Sequence, residues 1–337
     1  MPQGSVFGPL LFIMYTTPLS TLISSLSLNH HLYPDYAQLF FSFYPPRFDS
    51  SVKHLQNALQ QISSWMTANL LTLISSKTEF LLIGLRKQLG KIHNSSLNTT
   101  HSPCNLGFIF VEHLTFSDQI SPISKACYYH IKQLRCIRPY LDFNTARTTA
   151  TTIVHSKLDY CNSLYYNLPK SHITRLQQIQ NSIACAVKAP ACCHITPILH
   201  SLHWLKITER IEYKLLSLTY KVITVTTTQP PYLHNLISVQ PPRNTRSSYH
   251  VTLARPPTSS SLRISDRSFR YASPSLWNQL PNSLRQPHSS PSVSDFHSHA
   301  PAVSSYSLNL PLSSSITPSL FHSRLKTYLF INLFMAL

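Results

Sequence analysis

The stretch HLYPDYAQLF, from His31 to Phe40, contains the first acidic residue of the chain, Asp35, and a carboxylate can hold a metal ion. Two short apolar runs flank the polar group Tyr33-Pro34-Asp35-Tyr36, a pattern that predicts a β-hairpin with this group at its turn. Asp35 is the only carboxylate before Asp49. Two-metal phosphoryl transfer needs at least two converging carboxylates. Asp35 is therefore either the remnant of a metal site or an ordinary turn aspartate.

Basic and aromatic side chains alternate in the second third of the chain, at Tyr128, Tyr129, Lys132, Arg135, Arg138, Tyr140 and Arg147. This mixture is typical of surfaces that bind nucleic-acid phosphates, although a solvated basic helix face gives the same pattern. A later segment carries six arginines and almost no acids: Arg243, Arg246, Arg255, Arg263, Arg267 and Arg270. Because the guanidinium fork matches phosphate geometry, the later segment is the better candidate for phosphate binding.

A group of cysteines and histidines suggests a zinc site at first sight. Its members are Cys185, Cys192, Cys193, His194, His200 and His203. The group contains no C-x₂-C pair, and adjacent cysteines do not easily share one tetrahedral ion. We therefore expect no zinc.

The composition favours a polyanionic partner. Among 337 residues there are 28 Lys and Arg against 11 Asp and Glu, which gives a net charge of +17. This excess arises from a shortage of acids, because charged residues make up only 12% of the chain. RNA or DNA is the simplest partner, but basicity alone does not separate nucleic acid from an anionic membrane. Seven cysteines without a framework spacing indicate reduced thiols, so we expect an intracellular protein of the cytoplasm and nucleus.

The first half of the chain mixes helix and strand patterns. The uncharged run Val6–Leu28 is interrupted by Ser, Thr and two Pro and has no basic flank, so we expect a core helix rather than a membrane segment. Apolar residues at helical spacing predict a helix from Ser51 to Leu71. The run Lys77–Leu85 predicts a buried strand, and Asn105–Phe116 predicts a hairpin or strand pair.

The second half is mainly helical in pattern. From Ser117 to Tyr220 the apolar residues follow steps of three and four, which predicts a bundle of four or five helices. Pro-Pro pairs recur after Thr226, and residues 286–318 are so rich in Ser and Pro that we expect disorder. An amphipathic stretch, Leu320–Phe334, closes the chain.

Several motifs occur in the order found in one family. They are PQGSVFGPLLF, HLYPDYAQLFFSF, ISSWMTANLLTLISSKTEFLLIG, NLGFIFVEHLTFSDQI, IVHSKLDYCNSLYYNLP, LHWLKITERIEYKLLSLTYK, FRYASPSLWNQLP and FHSRLKTYLF. Together they resemble the C-terminal part of a reverse transcriptase from non-LTR retrotransposons of the LINE, jockey-like type. The resemblance covers most of the chain, from Pro2 to about Leu284 and again near the C-terminus.

The resemblance implies an RNA-directed DNA polymerase that uses Mg²⁺, dNTPs and an RNA and DNA template-primer. Asp35 matches the first aspartate of the family's YADD-type catalytic box. The nucleotide and template pocket corresponds to Pro2, Gln3, Gly4, Ser5, Gly8, Tyr33 and Lys77. The primer grip corresponds to Leu106 and Gly107. Lys132, Arg135 and Arg138, together with the six later arginines, correspond to nucleic-acid-binding positions.

The implied fold class is α+β. A partial palm of antiparallel strands and helices is expected first, followed by a helical thumb and an irregular tail. The expected segments are a partial palm at 1–116, a helical thumb or connection at 117–225, a basic C-terminal region at 226–285, a disordered Ser/Pro-rich linker at 286–318 and a short amphipathic segment at 319–337.

Departures from the family pattern predict that the chain is catalytically inactive. Tyr36 stands where the family has its second aspartate, and a neutral phenol is a poor magnesium ligand. Pro34 removes a backbone donor from the hairpin. The family's third carboxylate lies on a strand upstream of Pro2, which this sequence does not include. Val111 and Ile74 replace an acidic residue and an asparagine. Asp35 would then be the only metal ligand, and we expect Mg²⁺ not to bind productively.

Three other hypotheses stay open. The chain is a residual RNA- or DNA-binding protein without catalysis, an unstable relic whose half palm exposes apolar surface and sheet edges, or a membrane-anchored protein. We expect no stable membrane association.

Overall fold

The computed structural model describes most of the chain in two compact units. The described residues are 7–33, 36–92, 97–188, 194–224, 231–241, 250–257, 263–285 and 316–335. Unit 1 spans Met1–Leu114 and unit 2 spans Thr115–Leu337. The described residues are mostly helical and contain two small antiparallel sheets, which is compatible with the predicted α+β class. The division falls two residues before the predicted boundary at residue 116.

Unit 1 combines three helices with two hairpins. Its elements are α1 (Gly8–Ser25), β1 (Asn29–Tyr33), β2 (Tyr36–Phe40), α2 (Phe48–Ala68), α3 (Arg86–Leu89), β3 (Cys104–Asn105) and β4 (Phe108–Ile109). The helix predicted at 51–71 is confirmed as α2. The core lies between α1 and α2, where Leu19 and Ile23 meet Ala58 and Ile62. These residues recur at helical spacing, so each helix turns one apolar stripe inward.

The predicted core helix at Val6–Leu28 exists as α1, but only its C-terminal half is buried. Leu19 and Ile23 are enclosed, whereas Leu10 and Met14 are 54% and 64% exposed. α1 contains no charged residue. Among the described residues, no helix is both long and apolar enough to cross a membrane.

The strand predicted at Lys77–Leu85 is wrong. This run forms a single isolated bridge, from Phe80 to Thr99, and the Gly84 amide donates to the carbonyl oxygen of Glu112 over 3.1 Å. None of its residues is buried. The backbone groups of a strand need a neighbouring strand to bond to. No such strand pairs with this run among the described residues, and the local apolar pattern could not show this. The predicted hairpin at Asn105–Phe116 is confirmed only as the short β3–β4 pair.

Unit 2 is a helical assembly. Its helices are α4 (Ser117–Ile137), α5 (Phe143–Ala150), α6 (Ser156–Asp159), α7 (Lys170–Lys188), α8 (Ile195–Leu202), α9 (Ile207–Thr224), α10 (Pro231–His234), α11 (Arg263–Asp266), α12 (Phe269–Trp277) and α13 (Pro318–Met335). A π-helical turn, Thr151–His155, joins α5 to α6. Between Ser117 and Tyr220, where a bundle of four or five helices is predicted, the described residues form six helices, α4 to α9. Two of these, α5 and α6, are joined directly by the π-helical turn.

The core of unit 2 follows the predicted stripes. Leu176, Ile179 and Ile183 of α7 are almost fully buried, as are Ile211 and Leu215 of α9. Two glutamines of α7 make hydrogen bonds across the same layer, to the segment before α9 and to its first residue. The Gln180 amide donates to the carbonyl oxygen of Leu205 over 2.8 Å, and the Ile207 amide donates to the side chain of Gln177 over 2.9 Å. Such paired groups fix the register of helices that apolar packing alone would leave adjustable.

The C-terminal helix α13 packs against α9. The Phe321 ring stacks on Tyr220 at 4.0 Å between centroids and also faces Trp277 at 6.1 Å. The Tyr220 hydroxyl donates to the carbonyl oxygen of Ile316 over 2.5 Å. Ile316 is buried, so at its C-terminal end the segment expected to be disordered is packed. Residues 286–315 of that segment lie outside the described residues.

The region expected at 226–285 belongs to unit 2. Val239 and Leu253 form an isolated antiparallel bridge. The Trp277 indole donates to the carbonyl oxygen of Val251 over 3.0 Å, and the Asn278 side chain bonds both backbone groups of Leu253 over 2.9 Å. These bonds attach the described part of this region to α12.

Candidate nucleic-acid interface

The β1–β2 hairpin carries the sequence that resembles a catalytic box. The two strands pair antiparallel, from Asn29 opposite Phe40 to Tyr33 opposite Tyr36. The hairpin predicted from the sequence is thus confirmed. Pro34 and Asp35, which connect the strands, lie outside the described residues. The rings of Tyr33 and Tyr36 stack at 5.3 Å with 26° between their planes. This stacked pair lies at the end of the hairpin, next to its turn.

Tyr36 cannot replace a carboxylate at neutral pH. Burial raises the pKa of its phenol, the neighbouring Tyr33 raises that pKa further, and a hydrogen bond from Asn105 opposes the rise. The side chain is therefore neutral where two-metal chemistry needs an anion. Among the described residues, no group of three His, Cys, Asp or Glu side chains could hold a metal ion. Tyr36 does not fit a magnesium pair at this hairpin.

The predicted nucleotide pocket is only partly described. Pro2, Gln3, Gly4 and Ser5 lie outside the described residues. Gly8 is the first residue of α1, Tyr33 ends β1, and Lys77 is exposed in a 3₁₀ turn after α2. A Cβ atom at Gly8 would meet nothing within 4 Å, so packing does not require a glycine there. These three residues belong to three different elements.

The two predicted primer-grip residues form the turn between β3 and β4. Leu106 and Gly107 have φ angles of 49° and 77°, and Asn105 pairs with Phe108 on either side. A tight hairpin turn needs two left-handed residues, which glycine adopts without strain. Leu106 is 54% exposed. The turn therefore presents an apolar side chain to solvent.

The structure describes four of the six residues in the cysteine and histidine group. Cys192 and Cys193 lie outside the described residues. The rings of His200 and His203 face Phe330 of α13 at 5.1 and 6.0 Å. Both imidazoles therefore have an aromatic contact with α13.

The exposed face of α4 carries the alternating bases and aromatics. Cys127, Ile131 and Leu134 are buried. Between them, the side chains of Tyr128, Tyr129, Lys132 and Arg135 point to solvent. Residues three and four apart share one helix face, so Tyr128, Lys132 and Arg135 are neighbours. This is the basic and aromatic surface that the sequence predicts.

Arg138 differs from its neighbours because the bundle uses its guanidinium. The Arg138 Nε donates to the carbonyl oxygen of Val187 over 2.8 Å, and its Nη1 donates to that of Leu141 over 2.8 Å. The residue thereby joins the end of α4 to the end of α7. These bonds give Arg138 a structural role that the sequence pattern does not reveal.

The six later arginines are not equivalent either. Arg243 and Arg246 lie outside the described residues, and Arg263 begins α11. Arg255 and Arg270 are exposed. Arg267 lies over the ring of Phe116, 5.6 Å from its centroid, and burial lowers the pKa of its guanidinium. Arg267 is thus engaged in a cation–π contact inside unit 2.

A groove between α4 and α7 adds residues that the sequence reasoning missed. It has a volume of about 740 Å³ and is lined by Tyr128, Lys170, Ser171, Thr174, Arg175 and Gln178. The α7 members recur at helical spacing, so their common polar face was visible in the sequence. The sequence did not show that this face adjoins Tyr128, because periodicity does not say which helices pack together.

Comparison with known proteins adds no assignment. No family model, no curated protein and no solved structure matches this chain. The interpretation of the site therefore rests on its residues and geometry.

Proposed function

We propose that this chain is a catalytically inactive, nucleic-acid-binding part of a reverse transcriptase of the non-LTR retrotransposon type. The observation that carries the proposal is the β1–β2 hairpin. Its closing pair, Tyr33 and Tyr36, brackets the two residues that stand at the centre of the family's catalytic box. The order of the other motifs along the chain supports the same origin.

The predicted inactivity depends on Tyr36. A polymerase needs two metals held by carboxylates, which lower the cost of charge on the attacking and leaving oxygens. A neutral phenol in the second position removes one of those carboxylates. We expect no primer extension by the chain with an RNA template, a DNA primer, dNTPs and Mg²⁺. Extension above a no-enzyme control would overturn the inactive assignment.

The Tyr36→Asp variant tests whether the hairpin is a degenerate polymerase site. Templated extension by this variant, but not by Tyr36→Phe, would show that one substitution separates the chain from activity. Extension by neither variant would mean that further catalytic parts are lacking. The Phe variant is the matched control because it keeps the stack on Tyr33.

Nucleic-acid binding is proposed through the exposed α4 face. Lys132 and Arg135 are solvent-exposed on the same helix face as Tyr128. Each phosphate that a cation neutralises releases counterions, so the affinity falls steeply with salt. We expect the Lys132→Ala/Arg135→Ala variant to lower the slope of log affinity against log salt by about two. Fluorescence anisotropy with a labelled RNA–DNA hybrid measures that slope.

The matched control changes the same charge elsewhere in unit 2. Lys221 of α9 and Lys326 of α13 are also exposed, so Lys221→Ala/Lys326→Ala lowers the net charge equally. An equal loss in both variants would indicate attraction by net charge alone. Binding that is insensitive to salt would exclude the proposed mode altogether.

A further inference from the structure

The groove between α4 and α7 shares Tyr128 with the exposed face of α4. We propose that it binds a single-stranded nucleic-acid segment, stacking one base on Tyr128 while Lys170 and Arg175 contact the adjacent phosphates. This site rests on the nucleic-acid binding proposed above and makes it specific. It predicts a preference for unpaired strands that the α4 cations alone would not give.

Hydrogen bonds near both ends of α4 hold the two walls of the groove together. Near the start of α4, the Arg175 Nη1 donates to the Ser121 hydroxyl over 3.3 Å. At the other end of α4, Arg138 binds the carbonyl oxygen of Val187. The two contacts run in the same direction along both helices, so α4 and α7 lie roughly parallel. Ile131 of α4 and Leu176 of α7 are each 1% exposed, so both helices are anchored in the core of unit 2. A preorganised groove loses little conformational entropy when a ligand binds.

The charges of the groove suit a phosphate. Its six lining residues include two cations, Lys170 and Arg175, and no carboxylate. Ser171, Thr174 and Gln178 add hydrogen-bond donors along the same face. Lys170 is the first residue of the 19-residue α7, where the helix dipole also favours an anion.

Tyr128 distinguishes a nucleic acid from a simple anion. Its side chain is 43% exposed, yet it forms one wall of the groove. An aromatic face beside two cations is the arrangement that binds single strands without sequence preference, because every base has a π-face. A paired base has its faces covered by its neighbours in the helix. The open groove therefore fits an unstacked base rather than a duplex.

Tyr129 provides a matched control for the test. It follows Tyr128 on the same helix, is 61% exposed, and does not line the groove. The probes are a labelled single-stranded oligothymidylate of about eight nucleotides, an abasic oligomer of the same length, and a blunt duplex. The full chain is titrated with each probe by fluorescence anisotropy at one fixed salt concentration.

We expect Tyr128→Ala to weaken binding of the oligothymidylate about tenfold and to leave binding of the abasic oligomer unchanged. Tyr128→Phe should retain the affinity, and Tyr129→Ala should change neither probe. Lys170→Ala and Arg175→Ala should each weaken the base-bearing and abasic strands alike. All of these side chains are exposed, so their replacement leaves the fold intact.

Two results would overturn the groove assignment. Equal effects of Tyr128→Ala and Tyr129→Ala would mean that the groove contributes no specific stacking. Equal weakening of the abasic oligomer by Tyr128→Ala would mean that an anion alone is recognised. In both cases salt-dependent binding through Lys132 and Arg135 would still stand. Absence of binding to every probe would instead reject the proposed function together with the site.

Discussion

The two units use their apolar residues differently. Unit 2 encloses large side chains completely, including Trp277, Tyr220 and Phe321, which pack against one another. Unit 1 has a small core around Leu19 and Ile62. It also supplies roughly half of the exposed large apolar side chains in the described residues, although it is the shorter unit.

We expect most of the stability of the chain to come from unit 2. Burial of apolar surface is the main favourable contribution to folding. Unit 2 gains that contribution from several helix pairs, whereas unit 1 gains it mainly from the α1–α2 contact. We expect unit 2 to fold cooperatively and unit 1 to be marginally stable, which keeps open the hypothesis of an unstable product. Three experiments test this expected difference in stability between the two units.

Replacing a buried tryptophan should give the largest effect. Trp277→Ala removes a fully enclosed ring and its hydrogen bond to Val251, so we expect a loss of about 3–5 kcal/mol in the free energy of unfolding. Trp65→Ala in α2 removes a partly buried ring and should cost less. Urea denaturation followed by far-UV circular dichroism measures both. Equal losses would show that the units do not differ in the way we describe.

Acid should weaken unit 2 through His155. This residue is 2% exposed, lies 4.2 Å from the Trp204 ring, and its Nε2 has no hydrogen-bond partner. Burial, with a smaller contribution from the Arg210 charge, lowers the pKa of His155 to about 3. The unfolded state, with a pKa of 6.5, then binds the proton more readily. Stability is retained above pH 6.5 and is lost as the pH falls, by about 2 kcal/mol at pH 5.

The His155→Phe variant isolates this contribution. Phenylalanine preserves the ring contact and cannot bind a proton. Burial raises the pKa of Glu212 to about 7, so Glu212 stabilises unit 2 as the pH falls and opposes His155 over part of the range. The relevant quantity is thus the difference in unfolding free energy between wild type and variant at pH 7 and pH 5. A difference that does not change with pH would contradict the neutral, buried imidazole.

Changes on the exposed face of α1 should have the smallest effect on stability. The double variant Leu10→Ser/Met14→Ser replaces side chains that are 54% and 64% exposed, so we expect the unfolding free energy to change by at most about 0.5 kcal/mol. The same variant should bind less of a hydrophobic dye and aggregate less, because it reduces an apolar patch. Leu19→Ser, on the buried side of α1, is the matched control and should destabilise unit 1 strongly.

Local patterns in the sequence predicted the local elements well. α2 and the apolar stripes of α7 and α9 follow from helical spacing, because the buried face of a helix repeats within a few residues. The β1–β2 hairpin follows from alternation around a polar turn. These features need no knowledge of the rest of the chain.

Features that depend on distant partners were not predictable. The run Lys77–Leu85 has the composition of a buried strand, but in the part of the chain that the structure describes it forms only the single bridge from Phe80 to Thr99. The sequence pattern predicts that Arg138 and Arg267 are available to bind phosphate. In the structure, however, Arg138 donates to the carbonyl oxygen of Val187, and Arg267 lies over the ring of Phe116. Lys170 and Arg175 form part of a candidate binding groove because Tyr128, more than forty residues earlier in the chain, lines the same groove. In each case the deciding neighbour lies far away in sequence.

The anchoring of α13 on α9 has a consequence for the connectivity of the chain. The 3₁₀ turn Asn282–Leu284 contacts α13, and Ile316 is bonded to Tyr220. Arg285 and Ile316, the described residues on either side of positions 286–315, thus lie in segments that both contact the same part of unit 2. A single backbone cleavage between them would release no fragment, because the packing of Phe321 would hold α13 in place. The two halves would then behave as a noncovalent complex that dissociates only on dilution or denaturation.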